Sequence, residues 1–323
     1  MKVSALGSYP RIGDGAGKQK LRRAIQSHQA GKISAQDLAA IQDDVTREVL
    51  REQEIAGLDW VTDGLVRRED GQTYFTDKLE GFHRGGLLRY FDTNTYYRQP
   101  VCNGEVKWTG PITVDDYKFA AKETPLIVRP VVTGPFTLAG LSLDEHYKDP
   151  RTFIEALTTA MNKELRALSG AGAKMLQIDE PVLTRQPQDR FYVHEILGRL
   201  VEGVSSEIWV ALYMGPVVQL LDQIPDWPVA GVWLDCVTDP GTVDHLATKP
   251  IAGDKQLGLG LIDARNTKLD DTRAITKALN RVSQKTPAER LAITTSAGLE
   301  FLPRDRAQEK LRLMSEAVNL FRQ

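Results

Sequence analysis

The chain has 323 residues, 41% hydrophobic and 26% charged, which is too long for a small cross-linked fold and apolar enough for a large core. Lys and Arg number 41 against 43 Asp and Glu, and the formal charge of −2 excludes the strong basic field of a nucleic-acid binder or an anionic-membrane binder. Two cysteines, Cys102 and Cys236, exclude a disulfide framework and a four-cysteine metal site, and they predict a reducing, cytoplasmic setting.

The elements follow in order along the chain. A short apolar strand is predicted over residues 3–8, then a helix-bearing insertion over 10–31. Ser34 with Asp37 three residues on reads as an N-cap with an acid in the first turn, and that helix stops at Gly57. A second strand, 59–63, leads into a long insertion over 71–124 that is rich in aromatics, among them Tyr74, Tyr90, Tyr96 and Tyr97. Strands are predicted again over 126–133 and 174–179, separated by a helix that Asp149-Pro150 opens and Gly170 and Gly172 close. The remaining strands are 207–213, 230–235, 256–263 and 291–296, with Asp239-Pro240 and Pro303-Arg304-Asp305 opening later helices. No segment has the apolar length of a membrane span.

Eight strands alternating with helices make an α/β chain and predict a (β/α)₈ TIM barrel, one domain over 1–323, with helical insertions after strands one and two. An open doubly wound sheet is the runner-up, but no G-x-G-x-x-G follows the first strand. Insertions after barrel strands lie on the face that carries active sites, so the second insertion is expected to roof the pocket.

Residues at the carboxyl ends of barrel strands converge on that pocket. In order they are Ser8, Asp63, Thr133, Asp179-Glu180, Tyr213, Asp235-Cys236, Asp263 with Arg265-Asn266, and Ser296. A solvated loop acid is the commoner outcome for any one of these aspartates. Four at equivalent positions, balanced by Arg11, Arg67 and Arg265, predict a site for a cationic or hydrogen-bond-rich ligand, a metal, or acid–base chemistry. The candidate catalytic groups are Asp179, Asp235, Asp263 and Arg265. The candidate substrate contacts are Ser8, Arg11, Asp63, Arg67, Glu180, Tyr213, Cys236 and Asn266. All five histidines, His28, His83, His146, His194 and His245, fall away from strand ends, which leaves Cys236 without an activating base and argues against a nucleophile–histidine pair.

Several segments carry a resemblance. Leu6-Gly7-Ser8-Tyr9-Pro10-Arg11 is similar to an I-G-S-F-P-R opening, and Asp63-Gly64 with Arg67-Arg68 to a D-G-E-x-R-R segment. Gly134-Pro135-Phe136-Thr137-Leu138 looks like a G-P-x-T-L turn, and Gln177-Ile178-Asp179-Glu180-Pro181-Val182-Leu183 like Q-I-D-E-P-A-L. Asp263 with Arg265-Asn266 matches the last of them, G-x-x-D-x-R-N. Together they resemble the cobalamin-independent methionine synthase family, whose barrel is akin to that of uroporphyrinogen decarboxylase. The resemblance implies methyl transfer from a methyl-folate to the sulfur of homocysteine.

The family's zinc is held by His and Cys on strand five, Glu after strand six and Cys after strand eight. Those positions align with Ala211, Tyr213, Asp235 and Ala297, so the resemblance implies that no metal ligand set survives. Leu65 and Leu141 stand where the family has a glutamate and a folate-stacking tryptophan, whereas Ser8 and Asp179 keep its contacts to the amino-acid portion. Phe91-Asp92-Thr93-Asn94 with Tyr97, and residues 260–266, are similar to the amino-terminal half of the two-domain enzyme. Without metal a thiol of pKa near 8.5 is only ~3% ionised at neutral pH, a deficit of about 2 kcal/mol. Lost positioning of the sulfur adds up to ~7–11 kcal/mol.

Three functions stay open. The chain is a family methyltransferase that takes methyl-folate, a thiol or an amino acid, or one that acts with a separate zinc-bearing methionine synthase chain. Alternatively it is a non-catalytic binding partner of such a chain, or a metal-free lyase or decarboxylase using Asp63, Asp179, Asp235 and Arg265.

Overall fold

The structure, a computed structural model, describes residues 1–10, 19–185 and 191–323. In chain order its elements are β1 (Lys2–Val3), α1 (Lys20–Gln29), α2 (Ala35–Ile55), β2 (Trp60–Val61), α3 (Thr73–Thr76), β3 (Leu79–Arg89), β4 (Tyr96–Trp108), α4 (Val114–Glu123), β5 (Ile127–Val128), β6 (Val131–Thr133), α5 (Pro135–Gly140) and β7 (Leu143–Asp144). There follow α6 (Pro150–Gly170), β8 (Met175–Asp179), α7 (Val193–Val201), β9 (Glu207–Leu212), β10 (Gly231–Asp235), α8 (Gly241–Thr248), β11 (Gln256–Ile262), α9 (Thr272–Ser283), β12 (Leu291–Thr295) and α10 (Arg304–Phe321).

The parallel strands curl into a ring. One sheet runs β1-β12-β11-β10-β9-β8-β6. A second pairs β2 with β5 in parallel, and a parallel bridge from Ser4 to Trp60 joins β1 to β2. The third barrel strand is β5 and β6 together, interrupted at Arg129-Pro130 because proline has no N–H for the ladder. Its first part pairs with β2, where the Arg129 N–H donates to Val61 O at 2.8 Å, and its second pairs with β8, where Gln177 N–H donates to Pro130 O at 2.9 Å. The strand switches neighbours at the proline, and the ring closes there.

Local chemistry sets the helices. Ser34 and Asp37 form a reciprocal capping box on α2, and Gly57 just beyond takes φ +80°, a left-handed stop. Asp149 accepts from Thr152 N–H at 2.8 Å to cap α6, with Pro150 in its first turn. No helix among the described residues is long and apolar enough to cross a membrane.

The ring interior holds rings and one buried cation as well as aliphatic layers. Trp209 stacks on Trp233 at 4.5 Å, and Trp60 meets them edge-on at 5.6 and 6.1 Å. Arg129, with no exposed surface, lies 4.8 Å over Trp233. Its guanidinium donates to Ala5 O at 2.6 Å and to Ser4 Oγ at 3.1 Å, and burial lowers its pKa to about 9.

The excursion after β1 carries α1 among its described residues. The excursion after β2 is mainly β instead of helical. In it β3 pairs antiparallel with β4, with the four-residue α3 before them and α4 after, and β7, from the loop after α5, joins β4 in parallel. Register shifts between Glu80 and Phe82 and between Arg84 and Leu87 break the two-residue alternation that would have marked these strands in the sequence.

The hairpin base is anchored by Glu164 of α6, a fully buried carboxylate. It accepts from Trp108 Nε1 at 3.0 Å, Ile112 N at 2.8 Å, Thr113 N at 2.8 Å and Thr113 Oγ1 at 2.7 Å. Glu164→Gln replaces one acceptor oxygen with a donor facing donors, and we expect it to cost about 2–3 kcal/mol. Thermal melting reads this as a fall of several degrees, and an unchanged midpoint would show that the anchor is dispensable.

Candidate functional site

A cavity of about 330 Å³ opens at the carboxyl ends of the barrel strands, under the hairpin. Barrel strands contribute Ser8, Thr133, Asp179 and Tyr213, while the loops after β2 and β12 contribute Leu65, Arg68, Glu69, Asp70 and Glu300. The hairpin supplies Tyr90, Thr95, Tyr96 and Tyr97 as the roof.

Asp179 is the centre of the polar arrangement. One carboxylate oxygen accepts from Gln177 Nε2 at 2.6 Å, and the other from the Tyr213 hydroxyl at 3.0 Å. Tyr213 is hydrogen-bonded in turn to Tyr90. Tyr213 thus links the roof to the Asp179 carboxylate. The second amide hydrogen of Gln177 goes to Leu6 O at 2.7 Å, which fixes the side chain across the barrel. Burial pushes Asp179 up to about 6, against the pull of the Gln177 and Tyr213 hydrogen bonds and of the Arg129 and Arg68 charges.

Across the cavity the Ser8 hydroxyl donates to Glu300 in a very short contact. Gly298 permits that contact, because a Cβ there would lie 2.0 Å from Ser8 Oγ and 2.1 Å from Glu300 Oε2. Arg68 is the cation of the lining. It is buried, donates to Val131 O at 2.8 Å and lies 5.2 Å over the rings of both Tyr74 and Phe75. Asp70 already accepts from Gln72 N at 2.8 Å and Thr73 N at 2.7 Å.

Of the strand-end residues expected from the sequence, Ser8, Thr133, Asp179 and Tyr213 line this cavity. Arg11 lies outside the described residues. The other expected groups are engaged elsewhere. Asp63 accepts from Leu65 N at 3.1 Å, Asp235 from Val237 N at 3.0 Å and Thr238 N at 2.8 Å, and Asp263 from Arg265 N at 2.9 Å. All three close Asx turns on the N–H two residues ahead. Asp179 escapes this fate because the residue two ahead is Pro181, which has no N–H to offer.

Glu180 points the other way. It accepts from Phe136 N at 3.1 Å, Thr137 N at 2.8 Å and Thr137 Oγ1 at 2.7 Å, capping α5, while burial pushes its pKa up to about 8. Arg67 pairs with Asp43 and, at 3.1 Å, with Asp116, so its neighbour Arg68 takes the cavity position. Arg265 pairs with Asp92 of the hairpin at 3.2 Å, and Asn266 is exposed and accepts from Lys268 N at 3.0 Å. Cys236 is buried with its thiol donating to Leu234 O at 3.4 Å, and burial raises its pKa far beyond a reactive range. Among the described residues no group of three or more His, Cys, Asp or Glu is placed to hold a metal ion.

The arrangement matches known proteins over most of its length. A family model described as the N-terminal domain of cobalamin-independent synthase matches residues 83–287. A methionine synthase of Saccharolobus islandicus is 30% identical over 325 aligned positions, spanning 100% of this chain and 95% of that protein. The chain belongs to the cobalamin-independent methionine synthase family. A methionine synthase of Pyrococcus furiosus is 29% identical across 98% of this chain and 92% of its own length. Among solved structures, a B12-independent methionine synthase from Shewanella in complex with selenomethionine shares the fold with a TM-score of 0.84 at 21% identity, covering 99% of this chain and 97% of that one.

The zinc that the resemblance implies would sit at the ends of strands five, six and eight, among Ala211, Tyr213, Asp235 and Ala297. Ala211 and Ala297 carry no donor atom, and both are fully buried. The Tyr213 hydroxyl is given to Asp179, and Asp235 accepts a third backbone N–H, from Met214 at 3.3 Å. These residues do not fit a tetrahedral site of nitrogen and sulfur ligands.

Proposed function

We propose that this chain binds a small amino acid of the homocysteine–methionine class in the cavity, as one barrel domain, and does not run zinc-dependent methyl transfer by itself. The observation that carries the reading is the charge of the lining, in which, among the described residues, Glu69, Asp70, Asp179 and Glu300 stand against Arg68. Asp70 is committed to its own turn and Glu300 accepts from Ser8, and Asp179, at the centre of the polar arrangement, is the carboxylate placed to receive an ammonium. A charge-assisted bond from a ligand ammonium to Asp179 replaces the water it excludes. The selenomethionine bound to the Shewanella relative makes L-methionine the natural probe.

The lost methyl-transfer step follows from the chemistry of the corners already described. With alanine at two positions there is nothing to bind and ionise a thiol, and Asp235 is turned into its own loop. A second reading has a specific support: the matching family model is that of an amino-terminal domain, and such a chain would act by docking on a zinc-bearing methionine synthase. The lyase reading is weaker, because Asp63, Asp235 and Arg265 stand outside the cavity lining.

Calorimetry of the purified chain with L-methionine, L-homocysteine and methyl-tetrahydrofolate tests the proposal. One-to-one binding of an amino acid is the expected result. Absence of heat with both amino acids would overturn it, and complex formation with a zinc-bearing synthase chain would then favour the second reading.

A further inference from the structure

The hairpin that roofs the cavity is built in two parts. Its base, held by Glu164, continues into the body of the protein. Its tip, residues 87–97, lies beyond the register shift between Arg84 and Leu87, where Gly85 and Gly86 sit. Gly85 needs its missing side chain, since a Cβ would meet Gln99 O at 2.9 Å, and nothing lies within 4 Å of the corresponding point on Gly86. A bulge with two glycines is a place where a ribbon bends.

The tip itself is stiff. Thr93 N donates to Tyr90 O at 3.1 Å and Tyr90 N to Thr95 O at 2.9 Å, while the Arg89 guanidinium binds Thr93 O and, at 3.2 Å, Asn94 Oδ1. Phe91 takes φ +49°, a left-handed conformation that a bulky side chain adopts only when held there. The tip rests on a small apolar cluster in which Tyr90, Phe91 and Tyr97 meet Leu141 and Val182, and Tyr90 and Phe91 also touch the edge of the main core. Lifting the tip would break that small cluster and expose only the edge of the barrel core.

Besides that cluster and the Tyr97 hydroxyl, which donates to Leu141 O at 3.0 Å, an ionic bridge holds the tip down. Asp92 places one carboxylate oxygen 3.0 Å from Arg185 and the other 3.2 Å from Arg265, so it bridges the loops after β8 and β11. Arg185 is itself fixed, donating through Nε to Met214 O at 2.6 Å and lying 5.0 Å over the Phe91 ring. The Asp92 side chain is 56% exposed, which makes the bridge accessible to water and salt.

We propose that residues 87–97 are a lid on the cavity, hinged at Gly85-Gly86 and latched by Asp92 on Arg185 and Arg265. Closure brings Tyr90 onto Tyr213 and so completes the hydrogen-bond chain to Asp179. The lid does not depend on which ligand the cavity takes, and it can be tested with none present.

Hydrogen–deuterium exchange on the whole chain decides the matter. Asp92→Asn removes the charge while keeping the shape, and amide exchange over residues 87–97 is expected to rise roughly fivefold, the value of a partly exposed ion-pair pair. The peptide containing Tyr213 and Met214 is expected to rise with it, and Asp92→Glu to restore most of the protection. Adding Arg265→Gln to Asp92→Asn should change nothing further. Exchange in the tip that stays at the wild-type rate would overturn the proposal. So would a rise that spreads equally through the hairpin base and the barrel strands, because that pattern is global loosening and not a lid.

Discussion

Asp179→Asn is expected to weaken L-methionine binding by roughly tenfold to a hundredfold at about pH 7.5, the effect of removing a charged hydrogen-bond acceptor from a ligand ammonium. The wild-type affinity should also depend on pH in a defined direction. Burial holds Asp179 up to about 6, so the carboxylate that receives the ammonium is ionised above that value and lost below it. Affinity therefore climbs as pH rises through about 6 and then levels off, whereas the Asn variant gives a flat profile over the same range.

Stability runs the opposite way. The folded pKa of Asp179 lies above that of an unfolded aspartate, so its protonated form favours the folded chain. That contribution is complete below about pH 4 and disappears as pH rises through about 6, so wild type loses ground to Asp179→Asn over that window. Calorimetric titrations and melting curves across the same pH series separate the two effects. Equal affinity and an equal pH profile for both proteins would remove Asp179 from the site.

The second large effect concerns the barrel interior. Gly258 of β11 faces Trp233, and a Cβ built there would stand 1.8 Å from Cε3 and 2.3 Å from Cζ3 of that ring. Trp233 has no room to retreat, because it is fully buried, stacked on Trp209 and covered by Arg129. Gly258→Ala is expected to cost about 3 kcal/mol or more, seen as a melting temperature lower by roughly 5–10 °C. Combining it with Trp233→Leu makes room for the methyl group, and the pair should be less damaging than the sum of the two single changes. A Gly258→Ala protein that melts with wild type would mean that the indole does not occupy this layer.

The barrel was legible in the sequence because its strands are short apolar runs punctuated by helix caps that work locally. Ser34 with Asp37, and Asp149 with Pro150, cap the helices in the structure as their order implies. The hairpin was not legible. Its two register shifts and paired glycines disturb the alternation on which a strand is recognised, and only its aromatic content marked it as a roof.

Within the site, the ends of strands one, four and five gave Ser8, Asp179 and Tyr213 directly. The aspartates after strands two, six and seven lie outside that lining, because an acid just past a strand is also the best former of an Asx turn. The distinction was written in the residue two places on, proline after Asp179 and an N–H donor after the others. No comparable signal separates Arg68 from Arg67, since adjacent side chains diverge and their partners, Val131 O and Asp116, are remote in sequence. Glu300 sits past the strand end altogether, and the small Gly298 beside it is the only local hint of a close approach.

The most direct test compares L-methionine binding before and after exhaustive dialysis against a strong zinc chelator. A cavity that holds its ligand through carboxylates, with alanine at the metal corners, gives the same binding curve in both samples. Binding that vanishes on chelation and returns on adding zinc would contradict it.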